Sequence, residues 1–187
     1  QTLGQLPPLK PSYVDFVARE VAFILSNLRT ALVLSDPCTA WLKAEDWTHK
    51  VARIPLLIHW AHAFAAFLAV HLGDDVQALD QALLAEPYWA ATPACPDLIA
   101  MVFSLCLTAA RLPDKAAAAQ PQIDAQRSRL EKWAAFTPQN FLHMKLLVDA
   151  WQARNEARHA DAEQLFEAAI ADARQNGFLN NEALGLR

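Results

Sequence analysis

Four prolines recur along this chain at a spacing that few folds accommodate. Pro11, Pro55, Pro96 and Pro138 are separated by 44, 41 and 42 residues. Proline has no backbone N–H, so it breaks a helix interior but suits the first turn, where that donor has no partner. Each of the four precedes a long apolar stretch of helical period, a polar break and a second, shorter helical stretch. A period near forty residues marks stacked helical hairpins, in which each unit buries its face only against its neighbours. The expected fold is all-α, a tetratricopeptide-like α-solenoid of about four antiparallel helical hairpins.

Composition agrees with that reading. There are only four glycines (Gly4, Gly73, Gly177, Gly185), whereas strand-rich folds draw on glycine for many tight turns. Hydrophobic residues make up 54% of the chain and charged residues 19%, enough apolar material for a substantial core. The net charge of −4 argues against nucleic acid, whose phosphates call for a basic excess. Cys38, Cys95 and Cys106 are odd in number and lack the spacing of a metal knuckle or redox pair, which fits a reducing, cytoplasmic setting.

Residues 1–11, with Pro7, Pro8 and Pro11, read as an N-terminal extension without the apolar run of a signal peptide. Residues 12–187 read as a single helical-repeat domain, expected to be a piece of a longer protein. Ser12 with Asp15 resembles a capping box, and Ser35-Asp36-Pro37 restarts a helix. The long helix after Pro55 is expected to close at Leu72-Gly73, with a return helix over Asp75–Glu86 stopped by Pro87. A third unit enters at Pro96. Its partner follows Pro121 with Ile123, Leu130 and Trp133 on one face, and the alanine run Ala116–Ala119 between them reads as poorly ordered. In the fourth unit Thr137 reads as a cap and Pro138 as a first helical residue. Phe141, Met144, Val148 and Trp151 form a narrow seam, and a polar break falls at Arg158–His159. Ala162, Phe166 and Ala169 follow at the small–aromatic–small spacing of a second repeat helix, and Ala78, Ala82 and Ala85 repeat that spacing.

From Ile54 to Gly73 no Asp, Glu, Lys or Arg occurs, the length of a membrane span. Pro55 and three histidines (His59, His62, His71) favour a core helix flanked on both sides instead. No glycine-rich phosphate loop, paired-histidine zinc motif or nucleophile elbow is present, and no cofactor is expected. Glu156-x-x-His159 matches half of a di-iron motif, but at a polar break it reads as solvated. His59 and His62, one turn apart, could share a ligand or a metal. The favoured reading is a pair of core histidines bonded to the next helix. Glu163 and Glu167 lie opposite the alanine stripe and are expected to face water. Among the six tryptophans, Trp89 is the best surface candidate because it sits in a proline-rich turn. The candidate binding surface is therefore His59, Trp60, His62 and Trp89.

Pro138-Gln139-Asn140-Phe141, Leu146–Ala150, LFEAAIADAR (Leu165 to Arg174), Asn176–Phe178 and Glu182-Ala183-Leu184 resemble the helical repeat region of large multidomain signalling proteins. These join a serine/threonine-kinase-like domain, an AAA-type ATPase, the helical region, a GAF domain and a histidine kinase. Gly73 to Ala91 is similar to the matching part of that region, whereas Trp151 stands where it usually has a glutamate. The resemblance implies a non-catalytic scaffold, sensor or transmission element. Its partners would be another protein, other domains of the same polypeptide or a small-molecule inducer. The family's catalytic residues belong to domains outside this chain, so none carries over. A small-molecule-binding regulatory domain, with a pocket at His59, Trp60 and His62, is the alternative.

Overall fold

The computed structural model describes residues 55–92 and 96–186. The Ser12 and Ser35-Asp36-Pro37 helix starts, Cys38, Cys95, Trp41 and Trp47 lie outside the described residues. Every regular element described is helical, with no strand among the described residues. The order is α1 (Pro55–Leu72), α2 (Asp75–Ala85), a 3₁₀ turn (Glu86–Ala91), α3 (Pro96–Arg111), α4 (Pro113–Ala116), a second 3₁₀ turn (Ala117–Ala119), α5 (Gln120–Phe136), α6 (Pro138–Asn155), α7 (His159–Gln175) and α8 (Leu179–Gly185).

Packing proceeds by neighbours. α1 packs on α2 and α3, α3 on α5 and α6, α6 on α7, and α7 on α8. α3 is the axis of the core, in contact with α1, α2, α5 and α6. Its segment from Met101 to Ala109 is buried without interruption, and Phe103, Leu105 and Leu107 are wholly inaccessible. A helix hydrophobic all round requires such surroundings. The alanines behave as their spacing predicts. Ala78, Ala82 and Ala85 of α2 are buried, as are Ala162 and Ala169 of α7. Small side chains there let helix axes approach, and ridges of larger residues fill the grooves beside them. Phe166, half-buried, meets Trp151 edge-on at 5.7 Å.

The helix ends explain the sharp reversals. At the end of α1, Gly73 N–H donates to Val70 O and Asp74 N–H to Ala69 O, a Schellman closure with Gly73 at φ 85°. Asp74 then caps α2 by accepting from Gln77 N–H at 3.1 Å. The same closure recurs between α7 and α8, with Gly177 at φ 80°. It recurs between α6 and α7 at a residue without glycine's freedom, Ala157, at φ 59°. An alanine in the left-handed region is strained. Ala157→Gly is therefore expected to stabilise the protein by about 0.5–1 kcal/mol in urea denaturation, the relief of strain exceeding glycine's added unfolded-state entropy. A loss of stability would place Ala157 outside the left-handed region.

Two local expectations need revision, and the end of α2 holds. Ala116–Ala119 is ordered: Ala116 ends α4, buried, and the next three residues form a 3₁₀ turn leading into α5. The return helix α2 does stop ahead of Pro87, at Ala85, and the chain continues as the 3₁₀ segment Glu86–Ala91, with Pro87 in its first turn, where a missing N–H costs nothing. Thr137 precedes α6 as a cap residue, but its hydroxyl makes no capping bond.

α1 is the one helix among the described residues that is long and apolar enough to cross a membrane by length and composition. Half of it is buried within the fold, including His59.

Candidate functional site

Polar chemistry enters the core where α1, α2 and the N-terminus of α3 meet. His59, on the buried face of α1, is wholly inaccessible. Its Nδ1 lies 3.0 Å from Ala85 O at the end of α2. A carbonyl only accepts, so Nδ1 carries the proton and donates. The other ring nitrogen, Nε2, faces Asp97 Oδ2 at 3.3 Å. Asp97 follows Pro96 in the first turn of α3, where the helix dipole and its own backbone N–H favour a carboxylate. Trp60 and Thr92 lie close enough to the carboxylate to favour its ionised form as well. Burial opposes all of this. It pushes the Asp97 carboxyl above its ordinary range and holds the His59 imidazole below its own, against the Ala85 and Asp97 contacts that favour the cation.

A second pair repeats the device between α6 and α7. His143 is also inaccessible, with Nδ1 3.4 Å from Asp172 Oδ2, and its backbone N–H donates to the same oxygen at 3.1 Å. Phe178 stacks on the ring at a centroid distance of 4.3 Å, and Asn176 Nδ2 donates to Asp172 Oδ1. Burial lowers the His143 pKa, with Asp172 opposing. The first pair sets α1 against the start of α3, and the second joins the two helices of the α6–α7 hairpin.

The surface lies just outside the first pair. The 3₁₀ turn docks on α5 through two contacts one turn apart. Gln126 Nε2 donates to Glu86 Oε1 at 3.0 Å, and the Arg129 guanidinium lies over the Trp89 ring at 3.9 Å. Trp89 remains 38% exposed, and Arg129 Nη1 has no hydrogen-bond partner.

The four candidate residues therefore divide. His59 and Trp60 converge on Asp97 in the interior. His62, half-buried, bonds through Nδ1 to Gln81 Oε1 of α2 at 2.7 Å, so both histidines are bonded to the next helix. Trp89 is the most exposed of the four. Glu156 and His159 are exposed, and Glu156 is held by Arg158 at 2.8 Å. Among the described residues no group of three His, Cys, Asp or Glu side chains is placed to hold a metal ion. Glu163 and Glu167 face water.

Sequence reasoning missed Asp97, His143, Asp172 and Arg129. Asp97 had one local signal, an acid immediately after a helix-opening proline. The others meet their partners only through tertiary packing. This arrangement defines an all-α protein of successively packed helices with two buried histidines, each beside an aspartate, and a tryptophan–arginine surface. No family model, curated protein or solved structure matches the chain.

Proposed function

We propose that this chain is a non-catalytic helical scaffold or sensor module of a cytoplasmic signal-transduction kinase or ATPase. It binds a protein partner, or another domain of its own polypeptide, and relays state between the ATPase and the output kinase. The observation that carries the reading is the placement of its polar chemistry. The His59–Asp97 pair and the His143 ring are buried within the fold, and the exposed aromatic–cation contact is of the residue types that dominate binding hot spots. The packing of each helix pair on the next supports a tetratricopeptide-like solenoid, an architecture that presents extended binding surfaces.

Trp89, 38% exposed with the Arg129 guanidinium over its ring, is suited to an apolar group on the partner. A photo-crosslinking residue at position 89, introduced in the cell that makes the protein, is expected to trap one discrete partner. Arg129→Glu is expected to abolish that adduct while leaving the helical circular dichroism unchanged. The purified chain is expected to show neither ATP hydrolysis nor phosphotransfer. Turnover abolished by a single substitution would overturn the proposal.

A further inference from the structure

Two helix faces beside the Trp89 turn expose large apolar side chains with a charge set between them. On α2, Val76 and Leu84 are 43% and 50% exposed, and the exposed Asp80 lies midway between them. Spacings of four residues keep all three on one face, about 12 Å long. On α5, Arg129, Lys132 and Phe136 follow at spacings of three and four, so they share a face about 10 Å long. Trp89 lies against the Arg129 end of that face, and Phe136, 87% exposed, closes the other. Four of the seven large apolar side chains exposed among the described residues fall on these two faces, so the exposure is grouped, whereas single scattered apolar residues are ordinary.

The faces match in order, length and charge. One runs apolar, acid, apolar; the other aromatic, base, aromatic. Asp80 and Lys132, both exposed, have no hydrogen-bond or ion-pair partner among the described residues, with each other or with any other group. The carboxylates beside Lys132 are already engaged, Glu86 by Gln126 at 3.0 Å and Glu131 by Arg127 at 3.7 Å. The faces also adjoin, because Leu84 lies two residues before Glu86, which Gln126 holds on α5. Side by side in one chain, they cannot cover one another. A two-fold axis between two copies lays the α2 face of each on the α5 face of the other. That contact is isologous, occurs twice and closes on itself. An unrelated acidic partner would cover the α5 face alone and leave Val76, Asp80 and Leu84 exposed.

We propose that the Trp89 surface docks a second copy of this chain, with Asp80 of each copy opposite Lys132 of the other and the Val76–Leu84 face against the Trp89 and Phe136 rings. The proposal rests on the reading of Trp89 as part of an interaction surface and names its partner.

Sedimentation velocity of the whole chain, from micromolar to near-millimolar concentration, is expected to show a reversible monomer–dimer equilibrium. Asp80→Lys and Lys132→Glu each set like charges opposite one another, and each is expected to weaken the dimer at least about tenfold with the helical circular dichroism unchanged. Mixed together, the two variants are expected to dimerise again, because both contacts of the mixed dimer then join opposite charges. Phe136→Ala, which leaves the charges alone, is expected to weaken the dimer as well. A chain that stays monomeric at near-millimolar concentration overturns the proposal. So does a dimer that survives both charge reversals, or a pair of variants that fail to associate when mixed. A monomeric chain whose position-89 crosslinker traps only a different protein excludes the second copy and leaves the interaction-module reading standing. Turnover of ATP by a chain that dimerises as described overturns that reading and leaves the dimer in place.

Discussion

Phe103→Ala is expected to lower the unfolding free energy by about 3–5 kcal/mol, the range for deleting a fully enclosed phenylalanine. Phe103 is the largest wholly buried side chain described. It sits at the middle of α3, the helix against which α1, α2, α5 and α6 all pack. Two terms add: the lost transfer of the ring from water, and a cavity that four converging helices cannot all close. Phe166→Ala is expected to cost less, about 2 kcal/mol, because its ring is half-buried and keeps mainly its edge contact with Trp151. Urea denaturation of both variants checks the order. A Phe103→Ala loss below about 1 kcal/mol would mean that α3 is not the core axis.

Acid is expected to unfold the protein through its histidines. His59, His62 and His143 all have pKa values held below the ordinary 6.5, in each case chiefly by burial. The unfolded chain takes up a proton at each as pH falls through 6.5, and the folded chain does so only at lower pH. The unfolded state thus binds more protons in that window, and stability falls with falling pH. Each histidine contributes up to about 1.4 kcal/mol per pH unit there. Asp97 acts in the opposite sense. Its pKa is raised above the ordinary 3.8, so it binds its proton more readily when folded and regains stability as pH falls through its folded value. Three histidines outweigh one aspartate between pH 6.5 and pH 5, and the unfolding free energy should drop across that range. His62→Gln keeps a hydrogen-bonding side chain opposite Gln81 and should flatten the slope by about one histidine's share. A pH-independent stability from 7 to 5 would contradict the burial of these rings.

Where local chemistry sets a boundary, the sequence makes it legible. Gly73 closes α1, and Pro96 and Pro138 open α3 and α6. Each follows from a backbone freedom or a missing N–H that one residue type supplies. The buried alanines of α2 and α7 are legible for the same reason, since their three- and four-residue spacing is the period of the helix itself. Ala157 is not legible, because nothing local distinguishes an alanine forced into the left-handed region by the helices on either side. The ordering of Ala116–Ala119 is likewise imposed by packing, through burial of Ala116.

The candidate site divides along the same line. His59 and His62 read correctly as core histidines bonded to the next helix, and Trp89 as a surface residue. Their significance depends on partners that sequence spacing does not reveal. Asp172 lies 29 residues from His143, and the Gln126–Glu86 contact that docks the Trp89 turn on α5 spans 40 residues. Such pairs form only once α6 meets α7, or the 3₁₀ turn meets α5.

Deuterium exchange at the imidazole C2 carbons tests most directly whether the histidine–aspartate pairs hold helices together rather than meet a substrate. In the native protein His59 and His143 are expected to exchange at least about tenfold more slowly than the exposed His159, since exchange requires opening of the packed helices around them. All three should exchange at similar rates in denaturant. A native His59 that exchanges as fast as His159 would place the His59–Asp97 pair in contact with solvent, and would contradict a protein whose polar chemistry is sealed inside its fold.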